Sequence, residues 1–159
     1  MITELSKKQI SKPMMLSAGK TIENIYPNRY ADATSDFSGT IDGVTVENIT
    51  AANVERCIIV TGVKNSKKGT NYVKNIVLKN FSLRYTAMSK ESPLYTAYLP
   101  EYENEYPDSV RFFNLSAFGI WARHTDGLKI ENFAVQPPDH TSRSEFVFRD
   151  VLKLSDESA

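Results

Sequence analysis

The residue pattern predicts an all-β chain folded as a partial solenoid of stacked coils. Three observations predict it: a strand-corner-strand unit that repeats, short β-branched segments between the repeats, and no sustained helical periodicity. The unit emerges when Gly43-Val44-Thr45-Val46-Glu47-Asn48-Ile49-Thr50-Ala51 is laid over Asn75-Ile76-Val77-Leu78-Lys79-Asn80-Phe81-Ser82-Leu83 and over Gly127-Leu128-Lys129-Ile130-Glu131-Asn132-Phe133-Ala134-Val135. Each copy reads small or turn-forming residue, apolar, polar, apolar, charge, Asn, apolar, polar or small, apolar. A weaker echo lies at Thr21-Ile22-Glu23-Asn24-Ile25.

Within a copy the first two apolar positions alternate with one polar residue, the signature of a strand with one buried face. The charge-Asn pair then shifts the alternation by one step. Asparagine tolerates the left-handed conformation and can hydrogen-bond nearby backbone, so Asn48, Asn80 and Asn132 are predicted to be structural corners between short strands. Val46, Leu78 and Ile130 then point into one shared core. The corners recur after 32 and 52 residues, so loops are inserted between coils.

Further strands are predicted at 57–62, 118–123 and 145–151, all rich in β-branched or aromatic residues. The coils therefore occupy 41–155. Residues 1–40 read as an irregular N-terminal segment forming a partial coil or cap, and 156–159 as a disordered tail. Two excursions leave the pattern, 26–40 and a long loop at 86–116. The second carries Pro93, Pro100 and Pro107 with Tyr95, Tyr98, Tyr102 and Tyr106, an aromatic content that favours an ordered flap on the coil surface.

Composition narrows the function classes. With 41% hydrophobic and 24% charged residues the chain is that of a soluble globular domain, and 19 basic side chains balance 19 acidic ones. No overall field draws it to nucleic acid or to an anionic membrane. The lone Cys57 sits in an apolar run and reads as a buried thiol, leaving no disulfide and no cysteine-rich metal site. Met1 to Lys8 is followed by no long apolar stretch, so the expectation for the chain as written is a cytoplasmic location.

The stretches Ile41-Asp42-Gly43-Val44-Thr45-Val46-Glu47-Asn48-Ile49, Ile58-Ile59-Val60-Thr61-Gly62 and Glu105-Tyr106-Pro107-Asp108 leading into 117–128 carry a resemblance. Its most specific part is Arg123-His124-Thr125-Asp126-Gly127. The chain resembles the C-terminal region of the polygalacturonase-type, pectin-degrading glycoside hydrolases, family 28. That resemblance implies a right-handed parallel β-helix, usually exported to the periplasm or outside the cell. It also implies catalytic aspartates in Asn-Thr-Asp and Asp-Asp motifs, assisted by Gly-His-Gly and Arg-Ile-Lys. None of the four motifs occurs here, and Ser142-Arg143-Ser144 stands where bacterial relatives tend to have Arg-Pro-Ala. Glycoside hydrolysis needs one carboxylic acid to protonate the leaving oxygen and a second carboxylate across the cleft. The implied role is thus structural, the final coils of a pectin-acting hydrolase without its own acid and base, and no catalytic residue is assigned. The alternative is a stand-alone module that binds carbohydrate or a protein partner. A trimeric phage-spike or adhesin segment shares the fold logic but leaves the Tyr-Pro and Arg-His-Thr-Asp-Gly stretches unexplained.

Among individual residues, Tyr95, Tyr98, Tyr102 and Tyr106 are the candidates for substrate contact, since an aromatic face packs on a pyranose ring while its hydroxyl hydrogen-bonds. The expected partner is a pectin-type polysaccharide. Glu101, Glu103, Glu105 and Asp108 lie among these tyrosines and would repel a uronate. His124 and Asp126 share a face in strand geometry and form a conceivable acid-base pair, but turn chemistry favours a strand-end histidine and a corner aspartate. Asp139 and His140 follow Pro137-Pro138 and read as loop surface, and two histidines without a paired acidic motif support no metal site and no cofactor. Asn48, Asn80 and Asn114 each match the glycosylation pattern, the first two being better explained as corners. Lys64, Asn65, Lys67, Lys68 and Gly69 form a basic turn without the glycine spacing of a phosphate loop. A solenoid cut from its neighbours exposes strand edges, so self-association through the N-terminal coil is also expected.

Overall fold

The computed structural model describes the backbone of Met14–Leu16 and residues 41–66, 69–86, 99–101 and 115–158. Among these residues the fold is all-β, with no helix of any length. In chain order the strands are β1 (Met14–Leu16), β2 (Asp42–Val54), β3 (Ile58–Thr61), β4 (Val63–Asn65), β5 (Gly69–Asn71), β6 (Val73–Tyr85), β7 (Ala117–Gln136) and β8 (Ser144–Glu157). Six of them form one curled parallel sheet in the order β1-β2-β6-β7-β3, with β8 on the other side of β7. The short β4 and β5 make a separate antiparallel hairpin.

The repeated units stack in register. Val44 lies beside Ile76 and Ile76 beside Leu128, and the same holds for Val46, Leu78 and Ile130 and for Ile49, Phe81 and Phe133. These columns make the core: Ile76, Leu78, Phe81, Leu128, Ile130 and Phe133 are all fully buried, and Phe81 stacks on Phe133 with ring centroids 5.0 Å apart. Inward positions at 44 and 46 and then at 49 and 51 need a one-residue change of phase between them. Asn48, Asn80 and Asn132 provide it, with φ of 61°, 56° and 47°.

Register also aligns a second set of left-handed positions, Gly43, Asn75, Gly127 and Lys153, and a third, His124 with Asp150. A strand that bends at the same places as its neighbours keeps its ladder of hydrogen bonds through the bend. That is how β7 runs without interruption over 20 residues, where two strands, at 118–123 and within 127–135, are predicted from the sequence. Its first half pairs with β3 and its second half with β6, so these two lie end to end along one edge of β7.

Several boundaries differ from the sequence expectation. Lys64, Asn65 and Gly69 of the predicted basic turn lie in the β4–β5 hairpin, which follows β3 and precedes β6 in the chain. The strand that seats on Ile49, Thr50 and Ala51 of β2 is β1, whereas the echo at 21–25 lies outside the described residues. β8 extends to Glu157, into the stretch read as a tail from 156.

Both faces of β3 and of the start of β7 are buried. One faces the main core through Ile58, Val60, Ile120 and Ala122. The other forms a second cluster in which Ile59 and Trp121 meet Cys57, Ala117, Leu99 and Leu115. Leu99 and Leu115 come from the 86–116 excursion, so its described parts pack on the outside of the sheet. Burial pushes the Cys57 thiol up to about 12, which leaves it an inert apolar side chain. At the β8 end the core opens: Leu154 occupies the column of Leu128 yet is 42% exposed.

Candidate functional site

The corner columns differ in what their side chains do. Asn80 donates its amide to the Asn48 side-chain oxygen at 3.0 Å, and Asn132 donates to Asn80 at 3.0 Å, a ladder that uses each amide to hold the next. Asn75 donates likewise to Asp42 at 2.7 Å. At these left-handed corners the amides are engaged in holding adjacent strands together.

The third column is where charge collects. His124 and Asp150 sit opposite one another on β7 and β8, both with positive φ, and His124 Nδ1 lies 2.6 Å from Asp150 Oδ2. The other ring nitrogen, Nε2, lies 3.1 Å from Glu101 Oε1. Tyr72, just before β6, donates its hydroxyl to both Asp150 oxygens at 3.1 and 3.0 Å and sets its ring edge-on to the imidazole. Next door, the buried Arg123 donates Nη1 to the Leu99 carbonyl at 2.8 Å and to the Pro100 carbonyl at 3.2 Å, and its guanidinium lies over the Trp121 ring. Arg123 also reaches Glu101 at 3.4 Å, and the Lys64 backbone N–H donates to the second Glu101 oxygen at 2.9 Å.

Local sequence explains the packing. Gly62 closes β3 against this corner, where a Cβ would collide with the carbonyl oxygens of Asn71 and His124. Only glycine fits such an approach. Arg123 must pair to be buried, and the carbonyls at the base of the excursion supply acceptors.

The electrostatics follow from these contacts. Partial burial works against the charged form of Glu101, but the Lys64 N–H, the His124 ring and the Arg123 charge outweigh it and hold the carboxyl below its ordinary range. Asp150 is held below its ordinary range chiefly by the hydrogen bond to His124, which outweighs the opposing effect of burial, with Tyr72 and the Lys64 charge adding to it. The Tyr72 hydroxyl is pushed up by its bond to Asp150. Both carboxylates are therefore engaged by cations and donors rather than poised to give up or take a proton. Among the described residues no group of three His, Cys, Asp or Glu side chains is placed to hold a metal ion.

The expectation of a strand-end histidine and a corner aspartate, rather than an acid-base pair, meets a different arrangement. His124 is buried in the middle of β7 because its left-handed backbone turns the ring into the corner, and Asp126 instead meets Lys153 at 2.9 Å. Asp139 and His140 form an exposed turn. Tyr95, Tyr98, Tyr102, Tyr106 and Asn114 lie outside the described residues. Glu101, Tyr72 and Asp150 are the residues sequence reasoning missed as a group. Asp150 is within reach of sequence reasoning, since it is the register partner of His124 once the alignment is carried into β8. Comparison of the chain with protein-family models, with curated proteins and with solved structures finds no match.

Proposed function

We propose that the chain is a stack of coils of a right-handed parallel β-helix, of the kind that ends pectin-degrading glycoside hydrolases, and that its own role is structural. The observation that carries this reading is the in-register stacking of β2, β6 and β7 with left-handed corners in shared columns. Parallel strands joined through a crossover in one sheet are right-handed in about 98% of cases, which supports the handedness. The charged corner fits a structural role as well. Glu101 and Asp150 are both spent on His124, with an imidazole between them where a hydrolase needs open space for the glycosidic bond and a water.

The test is hydrolysis of polygalacturonate and of rhamnogalacturonan by the purified chain, followed by new reducing ends. No turnover is expected. Turnover that survives purification and disappears in Glu101→Gln or Asp150→Asn would overturn the structural reading.

One observation favours the alternative of a binding module. Thr50, Ser82 and Ala134 lie side by side on the outer face of β2, β6 and β7, flanked by Ala52, Arg84 and Gln136, and line an open groove of about 460 Å3. Its hydroxyls, amide and single guanidinium suit a sugar chain that carries carboxylates. Oligogalacturonate binding that is lost in Arg84→Ala would place the function there.

A further inference from the structure

We propose that His124 is a proton-operated latch. With both ring nitrogens protonated it ties Glu101, and with it residues 99–101, to β7 and β8; loss of one ring proton loosens that stretch. This inference is independent of the pectin-type reading, since it rests on the corner alone.

The geometry sets the requirement. Each ring nitrogen faces a carboxylate oxygen, at 2.6 Å for Nδ1 and 3.1 Å for Nε2, and a carboxylate only accepts. Only the imidazolium carries an N–H at both nitrogens. In the neutral ring one nitrogen presents a lone pair to an anionic oxygen, which turns an attraction into a repulsion. The proton stays on Nδ1, because that contact is shorter and its partner is fixed by β-sheet register and by two bonds from Tyr72. The contact that fails is therefore Nε2 to Glu101.

The groups around the ring are Glu101 from the 99–101 stretch, Asp150 from β8, Tyr72 ahead of β6, Arg123 on β7 itself and Lys64 on β4, whose charge acts on Asp150. Arg123 Nη1 already reaches the same Glu101 oxygen at 3.4 Å while donating to the Leu99 and Pro100 carbonyls, so it keeps its own long contact and does not supply the N–H that Nε2 loses. Those two bonds persist when the ring is neutral, so the stretch loosens without detaching.

The Lys64 amide reports the event, because its N–H donates to Glu101. Hydrogen exchange at this amide in the full chain, corrected for the intrinsic effect of pH, is expected to rise about tenfold across the titration of His124, the weight of one charge-assisted hydrogen bond. The His124 ring is followed by NMR in the same samples, with a His140→Gln background to assign it. Glu101→Gln should abolish the step, since its neutral amide can donate to or accept from either form of the ring. His124→Asn, which keeps a residue suited to positive φ, should abolish it too. Unchanged Lys64 exchange through the His124 titration, or a wild-type step in Glu101→Gln, would overturn the proposal.

Discussion

The asparagine corner and the histidine corner are the same backbone solution filled in two ways. At Asn48, Asn80 and Asn132 the left-handed residue is repeated from strand to strand, and each side chain bonds the asparagine of a neighbouring strand. At His124 and Asp150 the backbone takes the same conformation, yet the side chains bond to Tyr72 and Glu101, 52 and 23 residues from His124 in the chain. The first corner is held by like neighbours and the second by unlike segments. Repetition makes a corner that any further parallel strand can extend; a cluster of unlike partners makes one that joins particular parts of the molecule. Here it joins the base of the 86–116 excursion, the β4–β5 hairpin and the terminal strand.

The largest effect that bears on this comparison belongs to the core beneath the asparagines. Phe133 is 1% exposed, stacks on Phe81 and meets Phe146 edge-on. Phe133→Ala is expected to cost about 3–5 kcal/mol in urea or thermal unfolding, through lost burial and the cavity left behind. A loss under about 1 kcal/mol would mean that the columns are not continuous there, and that the asparagine corners stand without a packed core.

What was legible in the sequence follows the same division. The repeat could be read because the fold demands it: Val46, Leu78 and Ile130 must face inward together, and a one-residue slip would turn the apolar set outward. The phase change at each Asn was visible for the same reason. The continuity of β7 was hidden because turn chemistry at Asp126-Gly127 made His124 read as a strand end, and the β4–β5 hairpin because Lys64, Asn65 and Gly69 read as solvated turn. The charged corner was hidden for a deeper reason. Glu101 reaches His124 from within a long irregular segment, and no periodicity relates the two.

A smaller effect separates backbone from side chain at the repeated corner. Asn80 is the middle rung, accepting from Asn132 and donating to Asn48. Asn80→Ala removes two hydrogen bonds, about 0.5–1.5 kcal/mol each, and replaces a side chain that tolerates the left-handed conformation with one that does not, at about 1–2 kcal/mol. The expected total is about 2–5 kcal/mol by denaturant unfolding. Asn80→Gly relieves the backbone share and should recover about 1–2 kcal/mol relative to Ala. Equal losses for Ala and Gly would show that the amide ladder alone holds the corner.

The smallest effect is electrostatic, and it distinguishes charges that decorate the stack from charges built into it. Lys79 meets Glu131 at 3.4 Å on the face of the asparagine corner, with 43% of the lysine side chain exposed. Such a pair contributes little, so Lys79→Met should leave both the unfolding midpoint and its pH dependence indistinguishable from the parent. Asp150 differs because its carboxyl is held below its ordinary range by the buried His124 ring and by Tyr72. A folded-state value depressed in this way contributes stability above the unfolded-state value, and that contribution is lost as pH falls through the folded one. Glu101 adds to the same acid limb with the same sign. Asp150→Asn should therefore flatten the fall in stability below the ordinary carboxylate range. An acid limb as steep in Asp150→Asn as in the parent, or one that flattens instead in Lys79→Met, would assign the stabilising charge to the wrong corner.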